Sequence, residues 1–520
     1  GLSGQRRIGK PTVLLGDLLR LAAARHPRKP ALVFGAAVQT FAALEAAANR
    51  LAYAVIGLGL GPGDTVGILA RNRPEHVAAL FGVARTGCVL AALSPLSAPE
   101  ELARMLALAD VRLLLHEAEF APAIAAIAPR CPALARTVVL GDDFEAFVAG
   151  MPADPPDRPV GEDDPVAMTF TGGTTGLPKG TVVSHRARLA SAVTTALEHE
   201  LSGNDVVGVV TPLYHAIGLT IWLPAAMTVG ATCVLLPRWD ARGFVAAVGR
   251  HHVTAVMMVP VQARQMLADE AFDAAALASL RKVATGGAPM PPDLPPLMAA
   301  RLPHVAFVDH YGQSETGPLT VLKPWHPKEK AGTIGVPAVG VELKLVDANG
   351  DPVQPGDVGE IVVRGPFTMS GYYRNPAETA AWFRDGDGWG WTGDLARRDA
   401  DGFVTLVGRS KEMVISGGMN IYPREIELAL EGHPAVAECA AFGVPDETWG
   451  EAVVAVVVLQ RGTAATAEAL AAHCAATLAR YKRPRLVQFA DAIPKTASGK
   501  VLKAMLREEF LAQQTAVADR

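Results

Sequence analysis

Apolar positions along the first 310 residues fall into two alternating rhythms. FAALEAAANRLAYAVIGLG at 41–59 repeats its apolar residues at helical spacing, DTVGILA at 64–70 is a short apolar run, and PEHVAALFGVARTG at 74–87 returns to helical spacing. Further on, the helix-like ARGFVAAVGRHH at 241–252 leads into the apolar run VTAVMMVP at 253–260. Helices alternating with short buried strands predict parallel sheets covered by helices. From 333 to 408 the texture changes: VELKLVDANGDPVQPGDVGEIVVRG alternates with period two and is broken by Asn-Gly and Pro-Gly, which predicts antiparallel hairpins. After GRSKEMVIS at 408–416 a third pattern begins. PREIELALEGH, TAEALAAHCAATLARY and VLKAMLREEFLAQQ have helical spacing, while VAECAAFGV, EAVVAVVVL and RPRLVQFA resemble strands. The expected architecture is α/β. A large N-terminal domain, residues 1–408, holds two α/β lobes and a small β-barrel-like subdomain, and an α+β C-terminal domain follows at 409–520.

Composition narrows what such a chain can bind. A net charge of −4 with 19% charged residues gives no global attraction to nucleic acid or to an acidic membrane surface. A bound polyanion must therefore be held by a local site. Cys88, Cys131, Cys233, Cys439 and Cys474 are far apart and lack C-x-x-C spacing, which predicts buried reduced thiols and a cytoplasmic location. The apolar stretch at 43–60 is interrupted by Glu45, Asn49 and Arg50, so no integral membrane segment is expected. Asp17 and Arg20 break the segment after Arg6, Arg7 and Lys10 before an export signal can form.

One local candidate stands out. TGGTTGLPKG at 171–180 packs glycines, threonines and a lysine into a few residues. Glycines let backbone N–H groups converge on an anion, and Thr and Lys add donors, so phosphate is the natural guest. The nucleoside-triphosphatase P-loop needs Gly-Lys-Ser/Thr between a strand and a helix. Here Pro178 separates Gly176 from Lys179, Gly180 stands where the hydroxyl residue belongs, and both flanks, PVAMTF and GTVVSH, are strand-like. The loop is expected to cap a hairpin.

Further motifs follow it: PLYHAIG at 212, GGAP at 286, YGQSETG at 311, WTGDLARRDADGFVTLVGR at 391, SGGMNIYPREIE at 416 and PKTASGK at 494. In these residues and their order the chain resembles the adenylate-forming superfamily, in its acyl-CoA synthetase and fatty-acid–CoA ligase branch. The resemblance covers essentially the whole chain. It implies an acid–thiol ligase in which a carboxylate attacks the α-phosphorus of ATP, with Mg²⁺, and coenzyme A then opens the acyl-adenylate. Bringing an anion onto a polyanion costs about 1 kcal/mol per unit-charge pair at 4 Å in water and about 4 at an effective dielectric of 20, so fixed cations and donors are required.

The resemblance implies a role for each motif residue. Thr171, Thr174, Thr175 and Lys179 would grip the β- and γ-phosphates, with Gly173 and Gly176 permitting close approach. Gly172 departs from the family's usual Ser, removing a donor and implying looser ATP binding. Glu315 would be the Mg²⁺ ligand and Thr316 would reach the α-phosphate. Tyr311 would stack on adenine beside Gly286, Gly287, Ala288 and Pro289, and Asp394 and Arg409 would hold the ribose. Lys500 would bridge carboxylate and α-phosphate during adenylation. The C-terminal domain is expected to be mobile, rotating about Lys411 so that Gly417 and Gly418 replace Lys500 and line the pantetheine tunnel. Trp449 would flank pantetheine, Tyr481 would stack on the adenine of coenzyme A, and Arg483 and Arg485 would meet its 3′-phosphate.

The acid is less legible. His215 stands near where amino-acid-activating relatives place an Asp, and HAIGLTIWLPAAMTVG offers an uncharged apolar wall with Trp222. The resemblance favours a medium- or long-chain fatty acid, with an aryl or alicyclic acid as the alternative. An acyl-AMP ligase acting with a carrier protein and a nucleotide-binding regulator are two further readings. The expected partners are the small acid, ATP and coenzyme A, with a homodimer as a compatible assembly.

Overall fold

The computed structural model describes residues 13–172, 178–270, 272–384, 386–495 and 501–518. Gly173, Thr174, Thr175, Gly176 and Lys500 lie outside these stretches.

Among the described residues, two sheets carry the α/β part. One has seven strands, in the order Gly371–Tyr372, Pro178–Ser184, Pro165–Gly172, Val89–Leu93, Thr65–Leu69, Val111–His116 and Arg136–Val139. The other has nine, running from Val336–Pro337 through Gly317–Leu322, Ala306–Gln313, Lys282–Gly286, Ala255–Met258, Val206–Val209 and Thr232–Leu235 to Pro30–Phe34 and Ala37–Thr40. Their central strands, such as Thr65–Leu69, Val89–Leu93 and Ala255–Met258, are buried at every position. Helices cover both faces, which explains why these segments read as continuous apolar runs. Where helices begin, the sequence supplies the cap: Ser184 accepts from the Ala187 N–H, and Asp240 accepts from that of Gly243.

The hairpin expected around the glycine-rich loop is present. Pro165–Gly172 pairs antiparallel with Pro178–Ser184, closing with Gly172 opposite Pro178. Residues 342–409 form a four-stranded antiparallel sheet, Glu342–Val346, Val358–Arg364, Gly390–Arg398 and Val404–Arg409.

From Val414 onward the strands belong to a separate sheet built around Val436–Asp446 and Gly450–Leu459. Alternation along Gly450–Leu459 divides its side chains. Val453, Ala455 and Val457 pack with Ile426, Leu430, Leu470 and Cys474, while Val454 and Val456 pack with Leu506 and Phe510 on the opposite face. A small apolar contact joins this unit to the preceding sheet, where Tyr422 is buried with Leu395 and Val407. All five cysteines are free and buried. No helix among the described residues is long and apolar enough to cross a membrane.

Candidate active site

The strand Ala306–Gln313 runs parallel to Lys282–Gly286, with His310 opposite Gly286, so both motif segments emerge at the same edge of the nine-stranded sheet. Such edges, at the carboxyl ends of parallel strands, are where open α/β sheets place their ligands. A Cβ on Gly286 would lie 2.7 Å from the His310 carbonyl oxygen, and one on Gly287 2.6 Å from Ile217 Cδ1. Gly287 also has φ of +79°. Only glycines fit there, and they leave backbone open beside Ala288 and Pro289.

Asp394 is the centre of the next cluster. It is buried and sits opposite Arg409 in the register of its sheet, with Arg409 Nε 3.0 Å from Oδ1. Its other oxygen, Oδ2, accepts from the Tyr311 hydroxyl at 2.6 Å and from Gln313 Nε2 at 2.6 Å. Burial and the Asp394 charge hold the Tyr311 phenol well above its ordinary range. Burial pulls the Arg409 guanidinium down, but Asp394, Glu412 and other negative neighbours outweigh it and the net shift is upward. An ionised carboxylate has about four acceptor sites, so Asp394 retains capacity for sugar hydroxyls. Tyr311 commits its hydroxyl to Asp394 and has its ring for stacking.

Glu315 lies beside this cluster, where Oε1 accepts from the Tyr372 hydroxyl at 2.8 Å. Its backbone carbonyl accepts from the Met369 N–H. Thr316 is fully buried and uses its hydroxyl inside the turn, accepting from the Gln313 N–H at 2.9 Å and lying 3.1 Å from the Gly317 carbonyl. Lys179 Nζ is 2.6 Å from Glu378 Oε2 and 5.3 Å from the centre of the Tyr372 ring. Tyr372 thus joins the lysine of the hairpin to the carboxylate of the YGQSETG turn. No group of three or more His, Cys, Asp or Glu among the described residues could cage a metal. A single carboxylate, Glu315, suits a magnesium ion that brings phosphate and water oxygens of its own.

His215 stacks obliquely against Tyr214, with ring centroids 4.8 Å apart. Burial lowers its imidazole to about 4, and Nε2 has no hydrogen-bond partner among the described residues. It is therefore neutral at physiological pH. Trp222 is fully buried and donates to the Gly208 carbonyl at 3.1 Å.

In the C-terminal unit, Gly417 and Gly418 form a two-residue hairpin turn between Val414–Ser416 and Met419–Ile421, both with positive φ. A Cβ on Gly417 would lie 2.6 Å from Trp449 Cε3. Arg485 lies 5.6 Å from the Trp449 ring and pairs with Asp446 at 2.9 Å. Turn, indole and guanidinium thus adjoin. Tyr481 is exposed beside Lys482. Arg483 points elsewhere, donating to the Leu478 and Ala475 carbonyls, so its guanidinium caps a helix. Lys411 is exposed in a single turn of 3₁₀ helix, Ser410–Glu412, and its charge acts on Glu360 and Glu378.

Tyr372, Glu378 and the amide of Gln313 enter the site without having been singled out in the sequence. Tyr372 arrives because Gly371–Tyr372 adds an edge strand to Pro178–Ser184, with Tyr372 opposite Thr181. A pairing across nearly 200 residues leaves no local trace; the only available signal was the Asn-Pro helix start that follows, where Asn375 caps Glu378.

Comparison with known proteins gives the same outline. The AMP-binding enzyme family model matches residues 19–373, and the AMP-binding enzyme C-terminal domain model matches 425–500. Feruloyl-CoA synthase of Amycolatopsis sp is 38% identical over 489 residues, covering 93% of this chain and 96% of its own. Indoleacetate–CoA ligase of Aromatoleum aromaticum is 37% identical over 504 residues, covering 95% and 98%. Among solved structures, ATP-bound MatB from Rhodopseudomonas palustris superposes with a TM-score of 0.88 at 30% identity, covering 95% of this chain and 99% of that one.

Proposed function

The chain belongs to the AMP-binding enzyme family, in its acyl-CoA synthetase branch, and from that premise we propose that it activates an aryl-substituted carboxylic acid with ATP and transfers the acyl group to coenzyme A. The observation that carries the nucleotide half is the Asp394 cradle of Tyr311, Gln313 and Arg409, set beside Glu315 and Lys179. Asp394 receives the ribose hydroxyls, Tyr311 faces the purine, and Lys179 holds the terminal phosphates with the hairpin loop. Glu315 would hold magnesium, which would supply charge neutralisation at the phosphates. Lys500 neutralises charge where carboxylate meets α-phosphorus, and His215, neutral and with Nε2 unpartnered among the described residues, adjoins the reacting carboxyl. Once pyrophosphate has left, the unit beyond Lys411 turns to offer the Gly417–Gly418 turn, Trp449 and Arg485 to coenzyme A.

The acid class departs from the sequence expectation. The sequence favoured a fatty acid, whereas the relatives reported above are named for feruloyl and indoleacetate substrates, both aromatic. That agreement moves the leading class to aryl acids.

The test is acid-dependent pyrophosphate release with ATP and magnesium, across aromatic, alicyclic and fatty acids, with and without coenzyme A. Aryl acids should give the highest kcat/KM and coenzyme A should accelerate turnover. Lys500→Ala should lower adenylation by about 10²- to 10³-fold, the loss expected when one preorganised charge-stabilising donor is removed. A fatty acid outpacing every aryl acid would overturn the substrate assignment. Saturation by a carrier protein but not by free coenzyme A would overturn the acceptor.

A further inference from the structure

Beyond the C-terminal end of the His185–Glu198 helix, two imidazoles are buried against each other. The rings of His199 and His310 are stacked, with centroids 5.6 Å apart and 28° between planes, and Trp222 meets His199 edge-on at 5.5 Å. His199 is 4% exposed and His310 5%. Neither ring nitrogen of His310, nor Nε2 of His199, has a hydrogen-bond partner among the described residues. Buried polar atoms are normally paired, and an unpaired cluster calls for an explanation.

The position of the pair supplies one. Lys282, Ala284 and Gly286 stand opposite Ala306, Val308 and His310 in parallel register, so these side-chain positions share one face of the sheet. The lower part of that face borders a cavity of about 120 Å³ whose walls include His199, Trp222, Ala284 and Val308. The upper part reaches Gly286, which leads on to Gly287, whereas Tyr311 lies on the opposite face of the strand. His310 is the next position above Val308 on that face and stacks on His199 of the cavity wall, and on the ligase reading the remote end of a bound acid would come to rest here.

We infer that His199 and His310 form the hydrogen-bonding floor of the acid pocket and select acids that carry a neutral donor or acceptor, such as a phenolic hydroxyl, at the end remote from the carboxylate. This rests on the ligase reading. A neutral imidazole presents one N–H and one lone pair, so the stacked rings can both give and accept a hydrogen bond. Burial keeps both rings uncharged at neutral pH, lowering His310 to about 4 and His199 well below its ordinary value. Among the described residues a second carboxylate on the acid would find its nearest cations already engaged, Lys323 with Glu198 and both Arg281 and Lys282 with Asp205.

The experiment compares cinnamic acid with 4-hydroxycinnamic acid, which differ only in the ring hydroxyl, in pyrophosphate release by the wild-type chain and by His310→Phe, His199→Leu and His310→Gln. The wild type should prefer the hydroxylated acid by about tenfold in kcat/KM, mainly through KM. His310→Phe and His199→Leu should bring the ratio close to one. His310→Gln retains a donor and an acceptor and should keep most of the preference. A wild-type ratio near one, or a ratio unchanged in both apolar variants, overturns the inference while leaving the ligase reading intact. Absence of release with every acid of the wider panel overturns the ligase reading and this inference with it.

Discussion

At the scale of single residues, Asp394 shows how one carboxylate organises the proposed nucleotide site. Its three partners come from two places: Tyr311 and Gln313 from a strand of the nine-stranded sheet, and Arg409 from the neighbouring strand of its own. Charged hydrogen bonds are worth about 1.5–3 kcal/mol each, so neutralising this group should matter mostly where ribose is bound. Asp394→Asn should raise KM for ATP about tenfold. It should also narrow the preference for ATP over 2′-deoxyATP, because a neutral amide no longer rewards the missing hydroxyl. If the variant kept the wild-type preference between the two nucleotides, Asp394 would not be a ribose ligand. Tyr311, Asp394 and Arg409 were singled out because each sits in a motif that resembles the family's, and the structure brings the three together. Gln313 lies in the same motif, yet its amide gains a role only through a strand register that brings it to Asp394. The buried nitrogens of His199 and His310 were not legible either, since a lone His on an apolar face announces nothing until its neighbours are known.

At the scale of elements, an ion pair, Lys179 with Glu378, joins the hairpin to the short helix Pro376–Trp382. Lys179 holds the Glu378 carboxylate below its usual range, and the charge of Lys411 acts on it in the same direction. If Lys179 takes the phosphates as proposed, they must compete with a carboxylate already in place. The pair is partly exposed, so the competition is modest. Glu378→Gln should tighten ATP binding by about three- to tenfold in calorimetric titration, with a smaller salt dependence. Weaker binding would instead mean that Glu378 holds Lys179 in its working position. The elements themselves were largely readable. The helices at 41–57, 74–84 and 241–251 and the strands between them follow their hydrophobic periods, and the hairpin around the glycine-rich loop follows its two strand-like flanks. What periodicity could not supply was partner choice. Pro30–Phe34 pairs with Thr232–Leu235, and Gly371–Tyr372 with Pro178–Ser184, because burial rewards contact in space whatever the separation in sequence.

At the scale of the whole molecule, the buried histidines tie the fold to pH. His76, His185, His215 and His310 are each lowered to about 4 by burial, and His199 lies well below its ordinary value for the same reason. The unfolded chain protonates these five near 6.5 while the folded chain keeps them neutral, so between about pH 6.5 and pH 4 the unfolded state binds more protons. Stability is therefore greatest above pH 6.5 and falls as pH drops through that window. Asp309 works in the opposite sense. Burial raises its carboxyl to about 6, so the folded state holds that proton longer, cancelling one of the five. Each net proton is worth about 1.4 kcal/mol per pH unit, so several acting together make stability fall steeply below pH 6.5. Typical domains have about 5–15 kcal/mol in total, so the loss across this window is a substantial share of it. Urea unfolding followed from pH 7.5 to pH 5 should show a midpoint that falls steeply below pH 6.5. His76, fully buried with both ring nitrogens unpaired among the described residues, lies apart from the candidate site and allows a direct check. His76→Met should make the pH slope shallower by about one proton, whatever it does to stability at pH 7.5. A midpoint that stays level down to pH 5, or a slope that His76→Met leaves unchanged, would show that the buried imidazoles become protonated without unfolding the protein.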